Sequence, residues 1–482
     1  MTPSARAPAA PSLSWLVRLR LALAALSLSV ATAACAQAPV VAKPAAKAPP
    51  AAVVTQPAPP EERDPVPGWM GPGYAVPIGG ALKYDNAEVW SRLVQLSGGE
   101  GTRWLVIPTA AANPQATGAR IVDALQRYGA KAELLPVAPR LAGRDAAADA
   151  RDPALVAKVR QAHGVFFAGG AQARITDTLL PDGQRTPLLN AIWELYLSGG
   201  VVAGTSAGAA VMSETMFRDA ADVLAVLKAG KVIEGQEIDR GLGFVGSELF
   251  VDQHFLKRGR IGRMLPLMLQ KGYKLGIGVE ENTGAIIRGS EIEIIGAKGV
   301  VLVDLSDAKQ DPDLPAFNLR DARLTYLDRG DKHDYKTGVT TPAPEKLAGS
   351  LIDPNAADFR PYFRRMPFVP DILGDSAIAN AMGNLIDNRE NEALGLAFSG
   401  IPRADDPQPD LGFEFRLKRG PDSRGWYTGA FGDEAYTVLN LRLDVTPVTM
   451  RRPLYGPVVV PPPPAADPPA TRPAAPAART LR

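Results

Sequence analysis

The chain has 482 residues, of which 46% are hydrophobic and 22% are charged, and its formal net charge is +2. This composition suffices for a globular core, and the small net charge excludes a general attraction to nucleic acids or acidic membranes. Three scattered histidines and one cysteine exclude a clustered metal site, and no phosphate-binding loop or dinucleotide fingerprint occurs, so we expect neither a metal nor another cofactor.

The N-terminal segment has the pattern of an export signal. Arg6, Arg18 and Arg20 precede an apolar run over residues 21–34, and small residues follow it. We therefore predict a signal peptide over residues 1–36 and a bacterial protein that is periplasmic or extracellular. The sole cysteine, Cys35, leaves two alternatives open. The Ala-Cys-Ala sequence slightly favours ordinary cleavage, whereas lipidation of Cys35 would attach the protein to a membrane.

Residues 37–68 are rich in proline and alanine, which predicts an extended linker. From residue 69 to residue 340, strand-like runs such as 103–107 and 164–167 alternate with helix-like runs such as 116–128 and 152–161. This alternation predicts an α/β domain, a three-layer sandwich whose mainly parallel sheet is covered by helices on both faces. Ligands of such sheets bind beyond the carboxyl ends of the strands.

A serine stands where a buried strand meets a tightly packed helix, in the sequence Gly204-Thr205-Ser206-Ala207-Gly208. Flanking glycines allow a sharp turn, which exposes the serine oxygen at a helix N-terminus, where free N–H groups can stabilise an oxyanion. The pattern is typical of a nucleophile elbow, although small-residue turns between strand and helix also occur for packing alone.

A serine nucleophile needs a base and a carboxylate that orients the base. His254 follows a short apolar stretch, whereas His163 precedes a strand and His333 lies in a charged turn, so His254 is the best candidate for the base. The carboxylate candidates are Glu280 and Glu281, which follow a glycine-rich strand. A helix cap or a solvated turn is the alternative interpretation of this acidic pair.

Several segments together resemble the cyanophycinases, a family of serine exopeptidases related to the aspartyl dipeptidases. The similarity extends over residues 78–335 and depends on these segments: Ile78-Gly79-Gly80-Ala81, Val106-Ile107-Pro108-Thr109-Ala110, Phe167-Ala168-Gly169-Gly170-Ala171-Gln172, Gly204-Thr205-Ser206-Ala207-Gly208-Ala209, Asp252-Gln253-His254-Phe255 and Gly276-Ile277-Gly278-Val279-Glu280-Glu281-Asn282-Thr283.

Members of that family cut multi-L-arginyl-poly-L-aspartate, which is called cyanophycin, and release β-aspartyl-arginine dipeptides. The resemblance implies that Ser206 is the nucleophile, that His254 acts first as base and then as acid, and that Glu281 orients the imidazole. Glu280 stays open as an alternative partner of the histidine. The order serine, histidine, acid differs from that of the α/β-hydrolases, so a generic esterase fits less well.

The resemblance also implies a role for residues around the serine. The backbone N–H groups of Gly170 and Ala207 correspond to oxyanion donors, and Gln172 corresponds to a substrate-binding glutamine. The chain departs from the family's Gly-Gly-Asp-Gln motif because Ala171 replaces the usual aspartate. This change affects the expected substrate specificity more than it affects the expectation that the protein is a hydrolase.

Three arginines, Arg258, Arg260 and Arg263, follow the histidine closely. The resemblance implies that these arginines hold aspartate carboxylates of the substrate, which agrees with the two parallel hydrogen bonds that a guanidinium group forms with a carboxylate. A solvated basic face is the alternative.

Beyond residue 340 the resemblance stops. Residues 341–452 are predicted to form an α+β C-terminal extension, with a helix over 371–392 and strands over 412–417, 425–430 and 435–445. Residues 453–482 are predicted to form a proline-rich disordered tail. The extension is expected to pack on the catalytic domain or on a second subunit, so a homodimer stays open.

The sequence thus predicts an exported serine exopeptidase whose partner is cyanophycin or another aspartyl peptide. A related aspartyl dipeptidase is one alternative. A non-catalytic protein that binds the polymer at a surface is the other, but binding alone would not require Ser206, His254 and Glu281 together.

Overall fold

The computed structural model describes residues 72–219, 222–347 and 350–458. The predicted signal peptide, Cys35, the linker and most of the predicted tail lie outside these residues. In the described part of the chain, no helix has both the length and the apolar character needed to cross a membrane.

The described residues form many short strands and helices. The strands are β1 (Tyr74–Ile78), β2 (Arg103–Ile107), β3 (Lys131–Leu134), β4 (Gly164–Phe167), β5 (Val201–Thr205), β6 (Thr215–Phe217), β7 (Ile238–Arg240), β8 (Leu249–Gln253), β9 (Leu275–Val279), β10 (Thr283–Arg288), β11 (Glu291–Gly296), β12 (Val300–Asp304), β13 (Leu319–Leu327), β14 (Lys332–Asp334), β15 (Val339–Thr341), β16 (Ser350–Ile352), β17 (Phe368–Val369), β18 (Glu392–Ala397), β19 (Leu411–Lys418), β20 (Arg424–Thr428) and β21 (Ala435–Thr449). The helices are α1 (Ala87–Leu96), α2 (Pro114–Arg127), α3 (Ala146–Asp149), α4 (Pro153–Arg160), α5 (Gln172–Leu179), α6 (Pro187–Leu197), α7 (Ala207–Ala210), α8 (Val223–Ala229), α9 (Ile261–Lys271), α10 (Pro344–Leu347) and α11 (Ala377–Ile386).

The first sheet has nine strands in the order β15-β14-β11-β10-β1-β5-β4-β2-β3. Strands β1, β5, β4, β2 and β3 run parallel, and β10 pairs with β1 in the antiparallel direction. Successive side chains of a strand point to opposite faces, so each central strand contributes to two cores. In β4, Val165 and Phe167 join one hydrophobic cluster, whereas Phe166 joins the other.

Helices cover both faces of this sheet. Trp90 and Leu93 of α1 pack in the cluster that contains Phe166, while Leu155 of α4 and Leu188 of α6 pack in the cluster on the opposite face. The predicted three-layer α/β sandwich with a mainly parallel sheet is therefore confirmed.

The second sheet joins the predicted C-terminal extension to the rest of the protein. Its main path has the order β17-β18-β19-β21-β13-β12-β9-β8. Strand β21 pairs with β13 along one edge and with β19 along the other, so segments before and after residue 340 share one hydrogen-bonded sheet. Strands β8 and β9 are parallel neighbours at the far end, with Gln253 opposite Val279.

A buried ion pair ties the C-terminal region to the turn between β13 and β14. The ammonium of Lys346, in α10, lies 3.1 Å from both carboxylate oxygens of Asp331 and 2.9 Å from the hydroxyl of Thr437, in β21. The Thr437 hydroxyl donates to Asp331 at 2.6 Å. Lys346 and Asp331 are both 0% exposed, so the buried carboxylate depends on this ammonium for compensation.

We predict that Lys346→Ala lowers the free energy of unfolding by about 3–5 kcal/mol, because it leaves the Asp331 carboxylate buried without a counter-charge. Chemical denaturation of the purified variant measures the loss. Lys336→Ala is the matched control, since the Lys336 side chain is 63% exposed. The free energy of unfolding of the control is expected to lie within about 0.5 kcal/mol of that of the wild type. Equal effects of the two substitutions would contradict the structural role of Lys346.

Candidate active site

Ser206 lies at a sharp turn between β5 and α7. Its backbone has φ 53° and ψ −108°, a conformation that is strained for a residue with a side chain. Gly204 and Gly208 make the turn possible. A Cβ atom on Gly204 would lie 2.6 Å from the carbonyl oxygen of Gly208, and one on Gly208 would lie 2.4 Å from that of Phe167. The structure thus contains the predicted elbow geometry.

The side chains of Ser206, His254 and Glu281 form a hydrogen-bonded chain. The Ser206 hydroxyl lies 2.9 Å from Nε2 of His254, and Nδ1 of His254 lies 2.5 Å from Oε1 of Glu281. Since the carboxylate can only accept, Nδ1 carries the proton in this arrangement and Nε2 is left to accept from the serine. The geometry is that of a nucleophile, a base and an orienting acid.

Glu280 and Glu281 point to different places, as successive residues of an extended chain do. Glu280 is 1% exposed, and its Oε2 accepts hydrogen bonds from the backbone N–H groups of Leu256 at 2.6 Å and Lys257 at 2.9 Å. It therefore fixes the segment that follows His254, while Glu281 contacts the imidazole. The alternative in which Glu280 is the histidine's partner does not agree with this geometry.

The backbone at the end of β1 forms hydrogen bonds with the three loops that carry Ser206, His254 and Glu281. The carbonyl of Ile78 accepts from the N–H of Ser206 at 2.9 Å, and the carbonyl of Gly79 accepts from the N–H of His254 at 2.6 Å. The carbonyl of Gly80 accepts at 2.8 Å from the N–H of Asn282, next to Glu281. Three successive carbonyls thus set the spacing of the three loops.

Gly80 also provides room for the imidazole. It has φ 118°, and a Cβ atom there would lie 2.2 Å from Cε1 and 2.3 Å from Nε2 of His254. Only glycine fits both the backbone angle and the space. The sequence places this glycine in a segment of the family resemblance, Ile78-Gly79-Gly80-Ala81, but does not predict its role.

Burial is the largest influence on the pKa of His254, and it lowers that pKa below the usual value of 6.5. The hydrogen bond to Glu281 opposes this effect, and the positive charges of Arg258 and Arg260 add to it. The imidazole is therefore neutral, and able to accept a proton, at a lower pH than an unperturbed histidine.

A cavity of about 250 Å³ opens beside Ser206 and His254. Gly169 and Gly170 form part of its wall, and aromatic side chains such as Trp90 and Phe166 form another part. The predicted oxyanion donors are the N–H groups of Gly170 and Ala207, and neither donates a hydrogen bond to any residue that the structure describes. Gly170 has φ 147°, and its Cβ would lie 2.0 Å from the carbonyl oxygen of Ala110, so this position too requires glycine.

The structure corrects the predicted role of two arginines. Arg263 forms two hydrogen bonds with the Asp252 carboxylate, at 2.8 and 2.6 Å, and Arg260 contacts Asp252 at 3.3 Å and the carbonyl of Gln253 at 2.6 Å. Both arginines are 7% exposed. Their guanidinium groups already bind an internal carboxylate, so they support the segment around the histidine and are not free to hold a substrate.

Asp252, which binds both Arg260 and Arg263, was not among the residues predicted from the sequence. Burial alone would raise the pKa of its carboxyl, but the charges of Arg263 and Arg260 outweigh burial and hold the pKa below its usual value. Arg258 differs from the other two arginines, because its side chain is exposed and forms no ion pair within the described part of the chain. Of the three predicted arginines, it alone is open to a ligand.

Gln172 begins α5, and its amide nitrogen donates to the carbonyl oxygens of Phe217 at 2.7 Å and Arg218 at 3.2 Å. The amide therefore fastens α5 to β6, and only its oxygen is left for a substrate. Ala171 is the N-cap of α5 and makes no side-chain capping bond. An aspartate at this position would suit a helix cap, so the departure from the motif leaves α5 without a side-chain cap.

The other two histidines lie elsewhere. Nδ1 of His163 accepts from the N–H of Arg103 at 3.2 Å, and Nδ1 of His333 lies 2.8 Å from the hydroxyl of Thr340. Within the residues described here, no group of three or more histidine, cysteine, aspartate or glutamate side chains is placed to hold a metal ion.

Part of the chain is similar in sequence to known proteins. Residues 78–295 match the model of peptidase family S51. The chain is 32% identical to a cyanophycinase of Geminocystis herdmanii, over 54% of this chain and 93% of that protein, and 29% identical to a cyanophycinase of Synechococcus elongatus, over 55% and 80%. A solved structure of a peptidase from an acI-B1 Actinobacterium is 23% identical with a TM-score of 0.41, over 55% of this chain and 98% of that one.

We predict that Gly80→Ala slows the reaction of Ser206 with a serine-directed inhibitor by about 100-fold, because the added methyl group displaces the imidazole and misplaced reacting groups cost about that much. Inhibitor labelling followed by mass spectrometry measures the rate. Gly99→Ala is the matched control. It has φ 94° with open space around it, so it introduces backbone strain without touching the site. Similar labelling rates in the two variants would contradict the role of Gly80.

We also predict the pH dependence of this labelling. The neutral imidazole is the reactive form, and its pKa is lowered, so the rate falls to half of its maximum below pH 6.5 as the pH decreases. Arg258→Gln removes a nearby positive charge, which raises the pKa of His254 and moves the half-maximum to higher pH. Arg140→Gln, at an exposed position, is the control and leaves the profile unchanged. A half-maximum above pH 6.5 in the wild type would contradict the prediction.

Proposed function

The chain belongs to peptidase family S51 and is a serine-type peptidase, and from this premise we propose that it is an exported exopeptidase that hydrolyses cyanophycin to β-aspartyl-arginine dipeptides. The observation that carries the proposal is the hydrogen-bonded chain Ser206-His254-Glu281 at a strained elbow. The similarity to cyanophycinases supports the choice of substrate.

The proposed reaction starts with the neutral imidazole of His254. As the Ser206 oxygen attacks the scissile carbonyl carbon, Nε2 takes the hydroxyl proton, and the N–H groups of Gly170 and Ala207 donate to the oxygen that becomes negative. The imidazolium then gives its proton to the leaving amine, which departs as the C–N bond breaks. An acyl-enzyme on Ser206 remains.

Water completes the cycle. His254 takes a proton from the water that attacks the acyl carbon, and it returns this proton to Ser206 when the ester bond breaks. Glu281 holds the proton-bearing Nδ1 throughout, which keeps Nε2 directed at the serine and stabilises the positive charge that the ring acquires.

The size of the site supports action at a chain end. The cavity beside Ser206 measures about 250 Å³, slightly below the range of about 300–1,000 Å³ that is usual for ligand pockets. Such a space suits one terminal unit of a polymer better than a continuous chain. The exposed guanidinium of Arg258 carries a positive charge that lowers the pKa of His254, and it suits a carboxylate of the aspartate backbone.

Export is supported by the N-terminal sequence, in which arginines precede the apolar run over residues 21–34. Export suits an enzyme whose substrate is a storage polymer that other cells release.

A related aspartyl dipeptidase is the second candidate. The observation that favours it is Ala171, which changes the cyanophycinase motif immediately before Gln172, beside the cavity wall formed by Gly169 and Gly170. Such a change alters a subsite and leaves the reacting groups in place.

The test is incubation of the purified protein with insoluble cyanophycin and identification of soluble products by mass. We expect β-aspartyl-arginine from the wild type, and a loss of turnover of at least about 1,000-fold in Ser206→Ala, because the acyl-enzyme cannot form. Polymer binding is expected to persist in that variant. Ser247→Ala, at an exposed position, is the control and retains full activity.

Each contrary outcome has a distinct meaning. Unchanged turnover in Ser206→Ala would contradict the assignment of the nucleophile. Intact polymer, from a wild type whose Ser206 reacts with an inhibitor, would contradict cyanophycin as the substrate and favour shorter aspartyl peptides.

A further inference from the structure

A second cleft, of about 850 Å³, lies beside the segment that follows His254. Its lining includes Asp222 and Arg258, together with Asp371, Phe398, Arg403 and Asp405. The last four residues lie outside the region that matches the S51 family model. The C-terminal region therefore supplies one wall of this cleft.

The C-terminal wall is fixed to the segment after His254 by direct contacts. Lys257 forms an ion pair with Asp375 at 2.5 Å, and the N–H of Ser376 donates to the carbonyl of Leu256 at 3.2 Å. Leu373 also packs closely on Gly259. A Cβ atom on Gly259 would lie 2.1 Å from the carbonyl oxygen of Leu373. The position of the wall relative to the site is thus set by packing and not by a free loop.

Some charges in the cleft are already compensated. Lys228 is buried and bonds Asp406 at 2.7 Å, and Arg403 forms two hydrogen bonds with Asp405 at 3.0 and 2.9 Å. These pairs leave little net charge for a ligand.

Three charges of the cleft remain open to a ligand, one positive and two negative. Arg258 is exposed and has no ion-pair partner among the described residues. Asp371 is also exposed, and while its Oδ1 accepts from the N–H of Leu373 at 3.2 Å, its other oxygen accepts no hydrogen bond in the part of the chain that the structure describes. Asp222 uses one oxygen to cap α8 and is exposed as well.

We propose that this cleft binds the units of the substrate that lie farther along the chain than the two flanking the hydrolysed bond, and that its ligand is a peptide carrying both carboxylate and guanidinium groups. Arg258 binds a backbone carboxylate, and Asp371, assisted by Asp222, binds the guanidinium of an arginine side chain. This inference rests on the proposed function and extends it to the units of the polymer that are not released.

The charge pattern restricts the ligand class. A purely acidic peptide would be attracted by Arg258 but repelled by Asp371 and Asp222, and a purely basic peptide would be attracted by the two aspartates but repelled by Arg258. A chain with alternating charges can pair with both kinds of charge, and guanidinium and carboxylate groups pair through two parallel hydrogen bonds.

The experiment compares two soluble substrates, an oligomer of two β-aspartyl-arginine units and a longer oligomer of the same units. Asp371→Asn removes the charge but keeps an oxygen for the N–H of Leu373. We expect KM for the longer oligomer to rise about twofold to fivefold, the range of an exposed ion pair, with kcat unchanged. Asp371→Lys replaces attraction by repulsion and is expected to have a larger effect on KM. Kinetics of the two-unit oligomer are expected to stay the same in both variants.

Asp358→Asn is the matched control, because Asp358 is an exposed aspartate of the C-terminal region that does not line the cleft. It is expected to behave as the wild type with both oligomers. The difference between Asp371→Asn and the wild type should disappear at high ionic strength, where exposed charges are screened.

The outcomes separate this inference from the proposed function. A wild type that hydrolyses both oligomers, together with an unchanged KM in Asp371→Asn and Asp371→Lys, would overturn the cleft proposal and leave the function intact. If the wild type hydrolyses neither oligomer, the proposed function fails. In that case, equal calorimetric binding of the longer oligomer by wild type and Asp371→Lys would overturn the cleft proposal as well, and weaker binding by the variant would support it.

Discussion

Three successive backbone carbonyls at the end of β1 determine the geometry of the whole site. Ile78, Gly79 and Gly80 accept hydrogen bonds from the loops that carry Ser206, His254 and Glu281. A backbone carbonyl does not change with side-chain rotamers, so the three loops share one rigid reference. Ser206, His254 and Asn282 all have positive φ angles, and these bonds help to hold a conformation that an isolated loop would leave.

The sequence predicts features that depend on neighbouring residues and misses those that depend on distant ones. Strands 103–107 and 164–167 were predicted with their correct bounds, since apolar runs between turn residues are local signals. The elbow at Ser206 is local too, because its glycines lie within the same five residues. By contrast, the choice between Glu280 and Glu281 depends on the parallel pairing of β8 with β9, which no local pattern specifies.

The arginines after His254 also make contacts that a local sequence pattern does not predict. Their spacing predicts a basic face, but Arg260 and Arg263 turn inward because Asp252, several residues earlier, is buried at the end of β8 and needs positive charge. The C-terminal helix is shorter than the predicted segment 371–392. It spans Ala377–Ile386, because Asp371 and Gly374 form a turn that packs on the segment after His254. The sequence did not indicate that Lys346 is buried, since a lysine is expected at the surface unless a buried partner is known.

The pairing of β21 with β13 has a consequence for the boundaries of the protein. Residues matching the S51 family end well before β21, yet β13 has β21 as its neighbour on one side. A chain ending near residue 340 would leave the nine residues of β13 with a row of unpaired N–H and C=O groups. Such an edge is a template for strands of other molecules. Shortening the chain to end near residue 340 would therefore yield a protein prone to self-association.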